Sequence, residues 1–259
     1  MTWLLDLDGV VWTGDRPIPG SIEAIGRLRD RQRVMFLTNN SSATVAQYAR
    51  KMADMGLACQ PDDICTSAQA AALLVDPGAT ALVCGGPGVV EALEARGVTC
   101  VRDPTAGIDC VVVGWHRDFD FDRLTAAFRA VHAGARLIGT NDDPTYPAAD
   151  GELPGGGSLV AAVAYATGAT PTYGGKPYAP AAQLVFHRLG WAADPSPADR
   201  ASLWMVGDRP STDGKMAVTL GARFGLVLSG VTAATDAPFD PNPTAIAPDL
   251  ARFVAAHAE

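Results

Sequence analysis

The stretch Trp3-Leu4-Leu5-Asp6-Leu7-Asp8-Gly9-Val10 places two carboxylates, one residue apart, at the end of the first apolar run of the chain. The run predicts a buried strand from Trp3 to Leu7. Residues two apart in a strand point to the same side, and Gly9 allows a sharp turn behind them. Two converging carboxylates repel each other unless a cation lies between them. The pattern predicts a divalent metal site in which one carboxylate can also be a nucleophile, although Asp-x-Asp-Gly also occurs in calcium loops and ordinary turns.

Apolar runs of this kind recur and alternate with helical patterns. The predicted strands are Trp3 to Leu7, Val34 to Leu37, Ala81 to Cys84, Cys110 to Val113, Leu137 to Ile138, Leu203 to Val206 and Phe224 to Leu228. The predicted helices include Ser21 to Arg31, Val45 to Met55, Phe121 to His132 and Ala179 to Leu189. Such alternation predicts an α/β protein with a parallel sheet, in which ligands bind at the carboxyl ends of the strands.

Polar residues follow three of these strands. Asp6 and Asp8 come after the first, Thr38-Asn39-Asn40 after the second, and Gly207-Asp208 after Leu203 to Val206. Because the carboxyl ends of parallel strands meet at one edge of a sheet, these segments are expected to form a single site. The Thr38 segment can equally be an N-cap cluster for the next helix, and both roles are compatible because amides at a helix start also bind phosphate.

The segment from residue 79 to residue 173 has the pattern of a second α/β unit. Turn-forming Asp76-Pro77-Gly78 and Tyr173-Gly174-Gly175 lie at its two ends and suit a pair of hinges. We therefore predict a core of residues 1–78 and 174–259 with an inserted domain of residues 79–173. Gly85-Gly86-Pro87-Gly88 lacks the Gly-x-Gly-x-x-Gly pattern of a dinucleotide loop and is assigned to a turn.

Composition limits the class of protein and ligand. The 259 residues are 48% hydrophobic, which is ample for a packed core. A net charge of −8 argues against a nucleic-acid partner and favours a small ligand. Met1 to Val11 lacks a basic leader and carries two aspartates, so we expect neither a signal peptide nor a membrane span, and a cytoplasmic location. Five cysteines without Cys-x-x-Cys spacing predict reduced thiols.

Four elements in order require one explanation. They are Asp6-x-Asp8, Thr38-Asn39-Asn40, Gly175-Lys176-Pro177, and Gly207-Asp208 followed by Thr212-Asp213. This set resembles the haloacid dehalogenase superfamily, and within it the branch of phosphatases with a large α/β cap. Thr140-Asn141-x-Asp143, Leu153-Pro154-Gly155-x-Gly157 and Leu226-Val227-Leu228-x-Gly230-Val231-Thr232 extend the resemblance over essentially the whole chain. It implies a doubly wound, Rossmann-like parallel-sheet core with an inserted α/β cap domain.

The resemblance also implies roles for the core residues. Asp6 would be the nucleophile that forms an aspartyl phosphate, and Asp8 the general acid and base. Thr38 through its hydroxyl and Asn39 through its backbone N–H, with Asn40 beside them, would bind the phosphate oxygens. Lys176 would neutralise the phosphate and Asp6. The metal ligands would be Asp6, Asp8 through its backbone carbonyl, Asp208 and Asp213, and hard oxygen donors favour Mg²⁺. The sequence departs from the branch at Pro210 and Gly214, which puts the conformation around Asp213 in question.

Cap residues would select the leaving group. The glycine-rich loop from Asn141 to Ser158 would close over the site, with Asn141, Pro154, Gly155 and Gly157 as substrate contacts. Trp115, His116 and Arg117 end another cap strand, where either a surface loop or, for His116, a substrate-facing role fits. Members of this branch are often dimers through the cap, which leaves a homodimer open.

The preferred interpretation is a Mg²⁺-dependent phosphomonoesterase acting on a small phosphorylated metabolite, with glycerol 3-phosphate or phosphoglycolate first. Sugar phosphates, pyridoxal phosphate and nucleoside monophosphates stay open. A phosphate-binding regulator on the same fold is the non-enzyme alternative, although a pure binder has no need of the acid Asp8. A receiver-like phosphoacceptor also uses an acidic cluster, a Thr and a Lys, but that class is far shorter and has no inserted cap.

Overall fold

The computed structural model describes residues 1–103, 107–148 and 151–258. Its helices are α1 (Ser21–Arg29), α2 (Val45–Asp54), α3 (Ser67–Ala72), α4 (Pro87–Glu94), α5 (Phe121–His132), α6 (Gly156–Thr167), α7 (Ala179–Arg188), α8 (Pro197–Ala201), α9 (Lys215–Leu220) and α10 (Leu250–His257). Its strands are β1 (Thr2–Leu5), β2 (Trp12–Thr13), β3 (Arg16–Pro17), β4 (Arg33–Thr38), β5 (Ile64–Thr66), β6 (Thr80–Cys84), β7 (Thr99–Val101), β8 (Cys110–Val113), β9 (Arg136–Gly139), β10 (Thr145–Ala148), β11 (Gly151–Pro154), β12 (Thr172–Tyr173), β13 (Leu203–Gly207), β14 (Arg223–Val227) and β15 (Ala245–Ala247).

The larger sheet has six strands in the order β15-β14-β13-β1-β4-β5. Every pairing in it is parallel. From β1 the chain adds β4 and β5 on one side, and it later adds β13, β14 and β15 on the other. The strand order therefore reverses beside β1, and a parallel sheet offers a ligand crevice at such a switch point.

Helices cover both faces of this sheet because successive strand residues point to opposite sides. In β1, Trp3 and Leu5 join the core on one face, which includes residues of α1 and α10. Leu4 joins the core on the other face, with residues of α7 and α9. Burial of both faces accounts for the continuous apolar runs in the sequence. The predicted doubly wound α/β core is confirmed.

The second sheet has five parallel strands in the order β12-β9-β8-β6-β7 and is covered by helices on both sides. Its strands come from residues 80–173, within the segment predicted to be an inserted domain, whose hinge positions stay a prediction. A two-stranded antiparallel hairpin, β10 and β11, lies between β9 and α6 in the chain. This hairpin corresponds to the glycine-rich loop predicted between Asn141 and Ser158.

The first strand is shorter than predicted. β1 ends at Leu5, and the backbone then turns tightly, because the Leu7 carbonyl accepts hydrogen bonds from the N–H groups of Val10, Val11 and Trp12. The prediction that Leu7 continues the strand was wrong. Leu7 is fully buried as a turn residue, so its apolar character does not mark strand pairing.

All five cysteines are free, as predicted. In the described ranges, no helix has the length and apolar character needed to cross a membrane.

Candidate active site

A cavity of about 60 Å³ lies at the carboxyl ends of β1, β4 and β13 and is closed on one side by the β10–β11 hairpin. The larger sheet contributes predicted site residues from all three strand ends. Those that line the cavity are Asp6, Asp8, Thr38, Asn39, Asn40, Lys176 and Asp208. From the segment predicted to be the cap, Asn141 and Gly155 also line it. The structure thus brings together residues up to 200 positions apart in sequence, as the parallel-sheet argument predicts.

Lys176 bridges two carboxylates in the floor of the site. Its Nζ lies 2.7 Å from Asp6 Oδ1 and 2.7 Å from Asp213 Oδ1, and its side chain is 2% exposed. Burial opposes the positive charge, but the carboxylates of Asp213 and Asp6 outweigh it and raise the pKa of Lys176. The lysine therefore stays charged, and it holds the Asp6 carboxylate in one orientation.

Three carboxylates form a group that could hold a divalent cation. Asp6, Asp208 and Asp213 each offer one oxygen, and the three oxygens lie within 4.8 Å of one another. Burial raises the pKa of Asp6 well above its usual value. Burial, with the charge of Asp213, raises the pKa of Asp208 to about 7. A hard cation among these oxygens would offset both effects, so the donor set fits a metal such as Mg²⁺.

Asp213 reaches this group despite the departures from the family pattern. Pro210–Gly214 forms a π-helical turn, in which the Arg209 carbonyl accepts from Thr212, Asp213 and Gly214. The Asp213 carboxylate accepts from the Arg209 backbone N–H at 3.1 Å as well as from Lys176. A Cβ at residue 214 would lie 2.9 Å from atoms of Phe224 and Pro241, so glycine fits where an apolar side chain is usual.

Asp8 also lines the cavity, and its carboxylate has different hydrogen-bond partners from those of the acidic group. Its Oδ1 accepts from Trp12 Nε1 at 3.0 Å and from the Tyr146 hydroxyl at 3.5 Å. Burial raises the pKa of Asp8, although Lys51 opposes this. A raised pKa favours the protonated form that a general acid requires.

Thr38 and Asn40 order the loop after β4. The Thr38 hydroxyl oxygen accepts from the Asn40 N–H at 3.1 Å, and Asn40 Oδ1 accepts from the Ser42 N–H at 3.0 Å. The helix that follows has its own cap, because the Thr44 side chain accepts from Gln47. The cap-cluster alternative therefore does not account for Thr38 and Asn40, which line the cavity instead.

Three predicted substrate contacts are not among the residues that line the cavity in the described ranges. The Pro154 carbonyl accepts from Trp115 Nε1 at 3.0 Å. Gly157 packs against the backbone of Asp142, where a Cβ would lie 2.3 Å from the carbonyl carbon. His116 Nδ1 lies 2.9 Å from the Gly114 carbonyl, and its ring packs edge-on against Phe119. Their roles toward substrate stay a prediction.

The sequence argument missed several residues that the structure places in the site. Tyr146 contacts Asp8 and accepts from Asn40 Nδ2 at 3.1 Å, and its ring lies 4.8 Å from that of Trp115. Trp12 donates to Asp8. Asp143, which was part of a quoted motif but had no assigned role, and Arg209 also line the cavity. An aromatic residue in a glycine-rich polar loop was the available signal for Tyr146.

Glycines allow the backbone to approach the acids closely. A Cβ at residue 230 would lie 1.9 Å from Asp208 Oδ2, and one at residue 207 would lie 2.1 Å from Asp213 Cγ. Gly9, with φ +83°, also lies against the Asp208 carboxylate. Asp208 and Asp213 can therefore occupy these positions only because the neighbouring residues are glycines, which have no side chain.

Gly230→Ala is expected to displace the Asp208 carboxylate and weaken metal binding, with the Mg²⁺ concentration for half-maximal activity rising by about tenfold or more. Gly26→Ala is the matched control because a Cβ at residue 26, in α1, meets nothing within 4 Å. The measurement is a Mg²⁺ titration of activity and of protein fluorescence. An unchanged titration for Gly230→Ala would contradict the prediction that Asp208 is a metal ligand.

Comparisons with known proteins agree with this geometry. A doubly wound sheet with converging aspartates and a buried lysine at its switch point is the site that the resemblance to the haloacid dehalogenase superfamily of phosphatases implies. The model of the haloacid dehalogenase-like hydrolase family matches residues 3–99, and a second HAD-hydrolase-like model matches residues 173–253.

Individual relatives give the same result. The D-glycerol 3-phosphate phosphatase of Mycobacterium tuberculosis is 36% identical over 254 residues, which is 95% of this chain and 69% of the relative. An acid sugar phosphatase of Staphylococcus saprophyticus is 33% identical, over 89% of this chain and 87% of the relative. The crystal structure of the Mycobacterium tuberculosis glycerol phosphate phosphatase with magnesium matches with a TM-score of 0.87 and 34% identity, over 98% of this chain and 75% of that one. The chain belongs to the haloacid dehalogenase-like hydrolase family, and it is an enzyme of the phosphatase branch.

Proposed function

We propose that this chain is a Mg²⁺-dependent phosphomonoesterase that hydrolyses a small phosphorylated metabolite, glycerol 3-phosphate first, through an aspartyl-phosphate intermediate. The observation that carries the proposal is the position of Asp6 beside a cavity, held by Lys176 and within 4.8 Å of two further carboxylate oxygens. We further propose that residues 1–78 and 174–259 are the catalytic core and residues 79–173 the cap.

In the first step, a carboxylate oxygen of Asp6 attacks phosphorus and the bond from phosphorus to the ester oxygen breaks. Asp8 gives its proton to that leaving oxygen, which departs as an alcohol. In the second step, water attacks phosphorus while Asp8 takes its proton, and the bond to Asp6 breaks to release inorganic phosphate. The same carboxyl group serves as acid and then as base.

Other residues make the attack of one anion on another feasible. Lys176 neutralises Asp6 and lines the cavity in which the phosphoryl group would lie. The Thr38 hydroxyl and the Asn39 backbone N–H would donate to the phosphoryl oxygens. Asp6, Asp208 and Asp213, with the Asp8 carbonyl, would hold Mg²⁺, which supplies positive charge to the phosphoryl group.

The cap side of the cavity favours a polyol as the leaving group. Asn141 lines the cavity, and its buried Oδ1 has no hydrogen-bond partner, so it is available to accept from a substrate hydroxyl. The Asp143 carboxylate also lines the cavity and would repel a second carboxylate. Glycerol 3-phosphate therefore fits better than phosphoglycolate. The name of the Mycobacterium tuberculosis relative supports the same choice.

Removing the metal is expected to lower phosphate release by at least about a hundredfold, because the charge that offsets the acidic group is lost. The test measures phosphate released from glycerol 3-phosphate, phosphoglycolate, a sugar phosphate, pyridoxal phosphate and a nucleoside monophosphate, with chelator and after Mg²⁺ is added back. Activity that survives the chelator would contradict the metal assignment. Phosphate binding without release from any ester would favour the regulator instead.

A further inference from the structure

The side chain of Asn39 joins three distant segments of the chain. Its Oδ1 accepts from the Lys176 backbone N–H at 2.7 Å, and its Nδ2 donates to the Lys176 carbonyl at 3.0 Å. The same Nδ2 donates to Asp143 Oδ2 at 2.8 Å. Asn39 thus pairs with both backbone groups of the catalytic lysine and with a carboxylate on the cap side.

We infer that Asp143 and Asn39 form a positioning pair, in which Asp143 orients the Asn39 amide and Asn39 fixes the backbone of Lys176. The inference rests on the proposed function, since it concerns the role given there to Lys176. Neither side chain needs to touch the phosphoryl group for this purpose. The pair acts through the position of the Lys176 Nζ between Asp6 and Asp213.

The chemistry of the amide explains what Asp143 contributes. An Asn side chain can rotate so that its oxygen and nitrogen exchange places. In the exchanged orientation, Nδ2 would face the Lys176 N–H and Oδ1 would face the Lys176 carbonyl, so both bonds would be lost. Oδ1 would then also point at the Asp143 carboxylate. Asp143 accepts only from the nitrogen and therefore strengthens the preference, already set by the two Lys176 backbone groups, for the orientation that holds Lys176.

The surroundings leave the pair little freedom. The Asn39 carbonyl accepts from Ser67 Oγ and from Asn141 Nδ2, both at 2.6 Å. A Cβ at residue 175 would lie 2.5 Å from Asn39 Oδ1, so Gly175 permits the close approach to Lys176. Asp143 is separated from Asn39 by 104 positions and belongs to the predicted cap. The lysine is therefore held correctly only when the cap segment is in place.

This inference predicts that removing the Asp143 carboxylate lowers kcat by a factor that does not depend on the leaving group. Asp143→Ala is expected to lower kcat about tenfold or more, by the same factor for glycerol 3-phosphate and for p-nitrophenyl phosphate, with KM changed less than about threefold. Asp143→Asn keeps an acceptor oxygen for Asn39 Nδ2, and its kcat is expected to stay within about threefold of wild type. Asp142→Ala is the matched control because Asp142 is exposed and its carboxylate bonds Tyr178 instead.

A double-mutant cycle tests the coupling directly. If Asp143 acts through Asn39, adding Asp143→Ala to Asn39→Ala lowers kcat no further. Thermal denaturation checks that each variant folds, and Asn39→Leu, which keeps a similar volume and adds no charge beside Asp143, replaces Asn39→Ala if that protein is unfolded. Additive losses, a loss that differs about tenfold between leaving groups, or an Asp143→Asn variant as poor as Asp143→Ala would each overturn the inference. Wild-type turnover in the same assay tests the proposed function separately.

Discussion

Asp6→Asn is expected to lower phosphate release from glycerol 3-phosphate by about ten-thousandfold or more, because a carboxamide oxygen is a poor nucleophile and cannot form the acyl phosphate. The shape of the side chain is preserved, and its oxygen can still accept from Lys176. The substitution also removes one negative charge from a buried acidic group, so the thermal midpoint is not expected to fall. Steady-state phosphate release and thermal denaturation measure the two effects.

Asp15→Asn is the matched control because the Asp15 side chain is fully exposed, nine residues further along the chain. A rapid-quench experiment with a ³²P-labelled ester gives a second readout. The wild-type protein is expected to carry label that hydroxylamine removes, and the variant to carry none. Turnover above about one-hundredth of wild type, or labelling of the variant, would show that another residue is the nucleophile.

Most of the core could be predicted from the sequence because each of its central strands is buried on both faces. Such strands appear as uninterrupted apolar runs, and β4, β13 and β14 lie within one residue of their predicted bounds. The three-residue strands β5, β7 and β15 were missed. Three residues are too few to show the two-residue alternation of a strand or a recognisable apolar run. The resemblance implied a doubly wound core, but the order of the strands was not predicted, because no local pattern contains it.

The candidate site likewise contains residues that the sequence could predict and contacts that it could not. Asp6, Asp8, Thr38 and Asp208 lie at or just after the ends of strands, so sheet geometry alone brings them together. Tyr146 reaches Asp8 from a hairpin 138 positions away, and its place depends on how the two sheets pack. Asn39 was predicted to use its backbone N–H, whereas the contacts of its side chain with Lys176 span 137 positions. Motif spacing carries information about neighbours in the chain and none about such pairings.

Lys176→Met is expected to lower kcat/KM by about a thousandfold or more and to destabilise the metal-free protein by about 3 kcal/mol. The substitution leaves Asp6 and Asp213 buried without the cation that lies 2.7 Å from each. It also removes the charge that allows Asp6 to approach a phosphate dianion. Urea denaturation in the presence of chelator measures the stability, and phosphate release with saturating Mg²⁺ measures the activity. Lys215→Met, at an exposed position, is the control.

The loss of stability is expected to depend on pH in a defined direction. Burial already raises the pKa of Asp6, and removing the lysine raises it further because the lysine favours the charged form. As the pH falls, the Asp6 carboxyl takes up a proton and the unpaired charge disappears. The destabilisation relative to wild type should therefore be larger at pH 8 than at pH 5. Equal destabilisation at both values would indicate lost packing instead of an uncompensated charge.

A second substitution separates stability from catalysis in the same protein. Adding Asp213→Asn to Lys176→Met removes one of the two buried carboxylates that have lost their lysine partner, so most of the lost stability at pH 8 should return. Activity should not return, because the Asp6 carboxylate still faces the phosphate without a neutralising lysine and one metal ligand has also been lost. A double variant that regained turnover would show that Lys176 matters only for holding the acidic group together. A double variant that regained neither stability nor activity would mean that Lys176 supports the fold by contacts other than its ion pairs.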